Sequence, residues 1–95
     1  MLSKTQIIAT PSYVKGYRRL TNQMRKIVDA KIEQLISNPA HPSLQVHRLR
    51  RAKADVWSAY ISFNKRLIYQ RVEGKIYLHE VGEHAIIERV HLRGF

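Results

Sequence analysis

The segment "VGEHAIIERV", residues 81–90, places a histidine just past a glycine at the end of an apolar run. Imidazole is the side chain that titrates closest to neutrality, so His84 is a candidate proton carrier. Alone it means little, because the chain has five histidines and one on the outside of a helix needs no special role. A second group gives it company. His47, Arg48, Arg50, Arg51 and Lys53 put five basic or titratable side chains within seven positions, with Asp55 the nearest acid. A phosphate backbone needs cations along its path, and arginine adds two-pronged geometry. The competing reading is a solvated charged edge that discourages strand aggregation. Arg66 is the third candidate, expected beside Tyr60 and Ser62 on one sheet face. A charge there is cheap only if water or a ligand reaches it.

Several chemistries find no support. Cysteine is absent, which excludes disulfides and thiolate metal sites. The spacings from His41 to His47 and from His79 to His84 match no standard zinc pattern, so no metal is expected. There is no glycine-rich phosphate loop, no Gly-x-Ser-x-Gly elbow and no paired acid motif, and no cofactor is expected.

Ninety-five residues, 44% of them hydrophobic, supply one core and not two, so residues 1–95 are expected to form a single domain. Seventeen Lys and Arg against seven Asp and Glu give a formal charge of +10. Such an excess repels itself in the compact state and calls for an anionic partner. Nucleic acid comes first, an acidic protein second and a membrane surface last, since no stretch pairs a basic face with a strongly apolar one. The start, "MLSKTQIIAT", lacks the apolar core of a signal peptide, and no run approaches the ~20 apolar residues that span a bilayer. A cytoplasmic protein with no membrane partner is expected.

The elements that must position these residues follow from periodicity. "TQIIAT" reads as a first strand stopped by Pro11, with Thr10 and Ser12 as candidate helix N-caps. Val14, Tyr17 and Leu20 recur at helical spacing. After "TNQ", Met24, Ile27, Val28, Ile32, Leu35 and Ile36 trace an apolar stripe, and the two prolines of "SNPAHPS" end that helix. From Val46 the period becomes two. "VHRLR" is a short strand, and "VWSAYISF" alternates throughout. "RLIYQRV" and "KIYLHEV" flank "EG", a spacing for a tight hairpin that sets Val72 opposite Lys75, Arg71 opposite Ile76 and Tyr69 opposite Leu78. For the preceding turn, three residues, Phe63 to Lys65, set Ile61 opposite Leu67. Two would set Ile61 against Arg66 and mix the faces, so the longer turn is predicted. Trp57, Ala59, Ile61, Leu67, Tyr69, Ile76 and Leu78 then face the helices. Ser58, Tyr60, Ser62, Arg66, Tyr77 and His79 form an open face. The expected fold is α+β: two N-terminal helices on a mostly antiparallel sheet of about four strands, with a short C-terminal helix from about His84.

At this point the sequence resembles the RelE/ParE superfamily of bacterial toxins over nearly its whole length. "WSAYISFNKRLIYQ" resembles a YoeB-like and RelE-like pattern in which Trp-Ser opens one strand and Arg-Leu-x-Tyr the next. "GEHAIIE" resembles the Gly-x-His segment of YafQ-like members, and "HRL" at 47–49 sits where those members carry His-x-Leu. The resemblance implies the toxin of a type II toxin–antitoxin module, a ribosome-dependent endoribonuclease that cleaves mRNA and is neutralised by a cognate antitoxin. On that resemblance Arg66 matches the arginine at the scissile phosphate, His84 the C-terminal proton donor or acceptor, and His47 a second active-site histidine. Arg48, Arg50, Arg51, Lys53, Tyr60 and Lys65 are the expected contacts to RNA or ribosome. Three positions depart from the pattern. Glu88 stands where many relatives carry Tyr or Phe, Tyr60 where they often carry Arg or His, and Ala59 where some carry Arg. Glu88 as an acid/base, Tyr60 as the base-stacking ring, or a non-catalytic member are the three resolutions. A ParE-like inhibitor of DNA gyrase on the same scaffold is the alternative function.

Cleavage of RNA through its own 2′-hydroxyl requires a proton taken from that oxygen, stabilisation of a more highly charged phosphorane, and a proton given to the departing 5′-oxygen. Histidine can perform either transfer near neutral pH, and arginine can hold the charge. The ribosome would supply the substrate geometry that a small open groove lacks. The charge also predicts an acidic or amphipathic antitoxin segment wrapped on the domain.

Overall fold

The computed structural model describes residues 6–49, 55–83 and 85. Their order is β1 (Gln6–Ala9), α1 (Pro11–Arg18), α2 (Asn22–Ser37), a 3-10 turn (Pro42–Leu44), β2 (His47–Arg48), β3 (Trp57–Ser62), β4 (Lys65–Val72) and β5 (Lys75–Glu83). The strands form one sheet in the order β1-β5-β4-β3-β2.

Thr10 makes the first turn of the chain. Its hydroxyl accepts from the Tyr13 amide at 3.2 Å, capping α1, and donates to the Leu78 carbonyl at 2.9 Å, fixing the junction to β5. Pro11 occupies the first helical position, where a missing N–H costs nothing. Thr21 caps α2 in the same way, through the Met24 amide. Between the helices, Arg25 closes the corner: its guanidinium donates to the carbonyls of Tyr17 and Arg18 at the end of α1, where helix carbonyls lack intrahelical partners. The Tyr17 hydroxyl in turn donates to Asp29.

The helix-facing side of the sheet is as the alternation predicts. Ala59, Ile61, Leu67, Tyr69, Ile76, Leu78 and Val81 form the core with Tyr13, Val28, Leu35 and Leu44, and Trp57 packs at its margin. Burial pushes the Tyr69 hydroxyl up to about 12, with Arg71 opposing. At Gly16, a Cβ would fall on the Val81 carbonyl oxygen, so α1 lies on β5 backbone to backbone and only glycine fits.

Four expectations need correction. Among the described residues the sheet has five strands and is mixed, because β1 joins it by pairing parallel to β5, Ile7 opposite Ile76. A two-strand apolar signature says nothing about direction, and the helical connection that separates β1 from the rest permits a parallel partner. The expected C-terminal helix is not found among the described residues. β5 instead runs on through Gly82 to Glu83, since pairing with Arg66 and Lys65 extends the ladder past the glycine. Residues 86–95, where most of that helix was placed, lie outside the described residues. The β3–β4 turn uses two residues, Phe63 and Asn64, not three, and the face-mixing this implies is cancelled by a bulge at Ile61: Ser62 pairs with Lys65, yet Tyr60 pairs with Arg66. The extra residue restores the alternation and returns Ile61 to the core. Finally, the second sheet face is not open throughout. Ser58 and Ile68 are fully buried and Glu80 nearly so, as are Leu49 and Val56 beside them.

Candidate functional site

The β3–β4 hairpin brings together two residues singled out from the sequence. Tyr60 and Arg66 are register partners, and the Arg66 guanidinium lies over the Tyr60 ring at 5.0 Å from its centroid. Arg66 Nη1 donates to the carbonyls of Ser62 at 2.6 Å and Lys65 at 2.9 Å. These acceptors orient the cation without neutralising it, and among the described residues no carboxylate pairs with it. On its other side the partner across β5 is Gly82, which has no side chain to cover the guanidinium. The bulge at Ile61 and the glycine at 82 therefore serve one end: a half-buried arginine, aimed by backbone and backed by an aromatic ring, with part of its hydrogen-bonding edge uncommitted.

A third residue joins from α2. Lys31 Nζ stands 5.7 Å from the same Tyr60 ring and donates to the Ser43 carbonyl at 3.3 Å. Two cations thus lie close to one ring, a concentration of positive charge that suits an anion. Sequence reasoning missed Lys31, although a signal existed. It falls four residues after Ile27 and three after Val28, within the apolar stripe of α2, where a charged head needs a destination at the helix margin. The 3-10 turn that receives Lys31 is itself fastened by His41, whose Nδ1 accepts from the Ser43 amide, and by Ser43 donating to Gln34.

The other candidates separate. His47 is exposed on β2 opposite Ser58, so strand parity gives it the sheet face of Tyr60; its Nδ1 lies 3.3 Å from the Gln45 carbonyl. Lys65 opens β4 opposite Glu83 and contributes its carbonyl to Arg66. Arg48 is not brought to this cluster. It lies opposite Trp57 and pairs with Asp55 at 2.7 Å, an exposed ion pair of the kind that contributes at most about 1 kcal/mol. His84, Glu88, Arg50, Arg51 and Lys53 lie outside the described residues.

Further along the same face, His79 occupies the bulge in β5, where Ile68 pairs with Glu80 but Tyr69 pairs with Leu78. Its Nε2 lies 3.0 Å from Gln70 Oε1, and its ring stacks on Tyr77 with centroids 6.4 Å apart. Burial pulls its pKa below the ordinary histidine value, with Glu80 opposing. Among the described residues no three His, Asp or Glu side chains cluster to hold a metal ion, and no helix is long and apolar enough to cross a membrane.

No family model and no curated protein matches the sequence. Solved structures do match the fold. A chain of the Escherichia coli DinJ–YafQ toxin–antitoxin complex superimposes with a TM-score of 0.75 at 17% identity, covering 88% of this chain and 97% of that one. The YoeB/ParE toxin from Agrobacterium tumefaciens gives 0.72 at 19% identity, covering 83% and 98%. The YoeB dimer from Staphylococcus aureus gives 0.69 at 17%, covering 86% and 99%. With these shares of both chains superimposed, the fold of this protein is that of the RelE/YoeB/YafQ-like toxins.

Proposed function

We propose that this protein is the toxin of a type II toxin–antitoxin module and that it acts as a ribosome-dependent endoribonuclease on mRNA. The observation that carries the reading is Arg66, held over Tyr60 by two backbone carbonyls and paired with no carboxylate among the described residues. A guanidinium so oriented can take two oxygens of a phosphate and gains strength as the phosphorane develops charge. Lys31 adds a second cation to the same ring. His47 shares the sheet face of Tyr60 and is one candidate for proton transfer, and His84 and Glu88 are the others from the sequence. With a 2′-hydroxyl as internal nucleophile, RNA would be cut and DNA spared. The likeness to a toxin solved with its antitoxin supports a protein partner of the same kind here, and the +10 charge favours an acidic one.

The test is to map mRNA 5′ ends after the purified protein is added to a translating cell-free reaction, with Arg66→Ala and His84→Ala alongside. Cuts in register with codons that vanish in both variants are the expected result. Intact mRNA together with growth inhibition that survives both substitutions would instead favour the gyrase-directed alternative.

A further inference from the structure

Phe63 is 84% exposed at the tip of the β3–β4 hairpin, the most exposed large hydrophobic among the described residues. Turn chemistry does not account for it. Tight hairpins favour turns with positive φ at both central positions, supplied by Asn, Asp or Gly. The β4–β5 hairpin follows that rule, with Glu73 at φ 46° and Gly74 at φ 78°. Phe63 and Asn64 have no positive φ, so a phenylalanine is neither needed by the backbone here nor rewarded by packing.

What surrounds it does suggest a use. Phe63 is followed in the chain by Lys65 and Arg66 and preceded by Tyr60, and Lys31 reaches the Tyr60 ring from α2. Two aromatic side chains, Tyr60 and Phe63, and two cations, Lys65 and Arg66, thus fall within seven residues at this end of the hairpin. Glu83, opposite Lys65, is the carboxylate that the sheet register brings to it. Flat apolar faces alternating with anions are the chemistry of unpaired nucleotides, and a ring on which a base stacks beside cations that hold the phosphates is how single strands are gripped. The cations alone would serve an acidic protein as well, but a bare ring beside them is what a base and its phosphate need together.

We propose that Phe63 is a base-stacking platform for single-stranded RNA, placing one unpaired nucleotide at the hairpin tip while the adjoining phosphate reaches Arg66. This rests on the nuclease reading above and adds to it a substrate contact at the turn.

The experiment is a binding titration of the full chain with a fluorescent, uncleavable 2′-O-methyl RNA oligonucleotide, and with a series carrying one abasic site moved along the strand. Phe63→Ala is expected to weaken binding roughly 5- to 150-fold, the range for one stacked base, and Phe63→Trp to keep it. At one abasic position the penalty of Phe63→Ala should disappear, because no base is left to stack. Thermal melts of each variant verify the fold. Equal affinity of Phe63→Ala and the parent for every oligonucleotide overturns the proposal. If Arg66→Ala weakens binding while Phe63→Ala does not, only this inference fails. If neither does, the RNA site itself is misplaced.

Discussion

The two hairpins of this sheet share a strand and differ in almost everything else. β4–β5 turns through Glu73 and Gly74, both with left-handed backbone, and its register near the turn is uninterrupted from Val72–Lys75 to Tyr69–Leu78. β3–β4 turns through Phe63 and Asn64 without positive φ, and just before the turn β3 bulges at Ile61. The regular turn carries no candidate chemistry. The irregular one carries Tyr60, Arg66 and the exposed ring. A two-residue connection that avoids left-handed backbone does not match the twist of its strands well, and a bulge is the usual place where such a mismatch is absorbed and a side chain re-aimed. Regular geometry here builds the scaffold, and the departure from it aims the arginine.

Several substitutions would break or sharpen this contrast. The largest effect is expected at Arg66. Arg66→Ala should lower the rate of mRNA cleavage by about 10²–10³-fold, the loss typical of one charge-stabilising donor, with little change in melting temperature. Arg66→Lys should recover part of it, since a lysine cannot bridge two phosphate oxygens and two carbonyls together. In the regular hairpin the pattern should invert. Gly74→Val places a β-branched residue at φ 78° in otherwise empty space, so it should destabilise by about 1–2 kcal/mol in urea unfolding while the folded fraction cleaves normally.

A smaller effect separates the strands themselves. Ser58 in β3 buries a hydroxyl that has no hydrogen-bond partner among the described residues. Ser58→Ala should therefore leave stability unchanged or raise it by up to about 1 kcal/mol, whereas a serine that anchored the site would lower it. The smallest is expected at His79 in β5. Its folded pKa is depressed mainly by burial, so the native state binds this proton less readily than the unfolded chain does. Its contribution is then fully present above about pH 6.5 and is lost as the pH falls below that value. Unfolding curves at pH 7.5 and 5.5 should converge in His79→Gln relative to the parent, and an unchanged gap would assign the acid sensitivity to other groups.

Much of the scaffold was legible in the sequence because local patterns determine it. The stripe from Met24 to Ile36 gave α2, and the alternation from Trp57 gave the core face of β3. "EG" gave the β4–β5 register from Val72–Lys75 to Tyr69–Leu78, and the bulge at His79 beyond it was not foreseen. What was not legible depends on compromise between distant parts. The bulge at Ile61 exists because a two-residue turn and a buried isoleucine make incompatible demands, and neither is visible without the other. The parallel partnership of β1 depends on where two helices return the chain. The extension of β5 through Gly82 is permitted by pairing with β4, although a glycine alone reads as a stop. In the site, Arg66 and Tyr60 were found by face assignment, which survived the wrong turn length because the bulge restored parity. Lys31 was overlooked because its stripe position reads as packing until the ring it approaches is seen.

The first described strand of the chain is held by one of its last. Thr10 bonds Leu78 across 68 residues of sequence, and among the described residues β1 has no other neighbour in the sheet. Local contacts suffice for the α1–α2 corner and for either hairpin, but closure of the sheet must await synthesis of β5, and non-local pairing is the slow kind. During translation, then, the arginine hairpin emerges before the strand that completes its surroundings through Gly82. A nascent chain halted before residue 75 would hold Tyr60 and Arg66 without a finished sheet. Assembly of the site thus waits on the synthesis of β5.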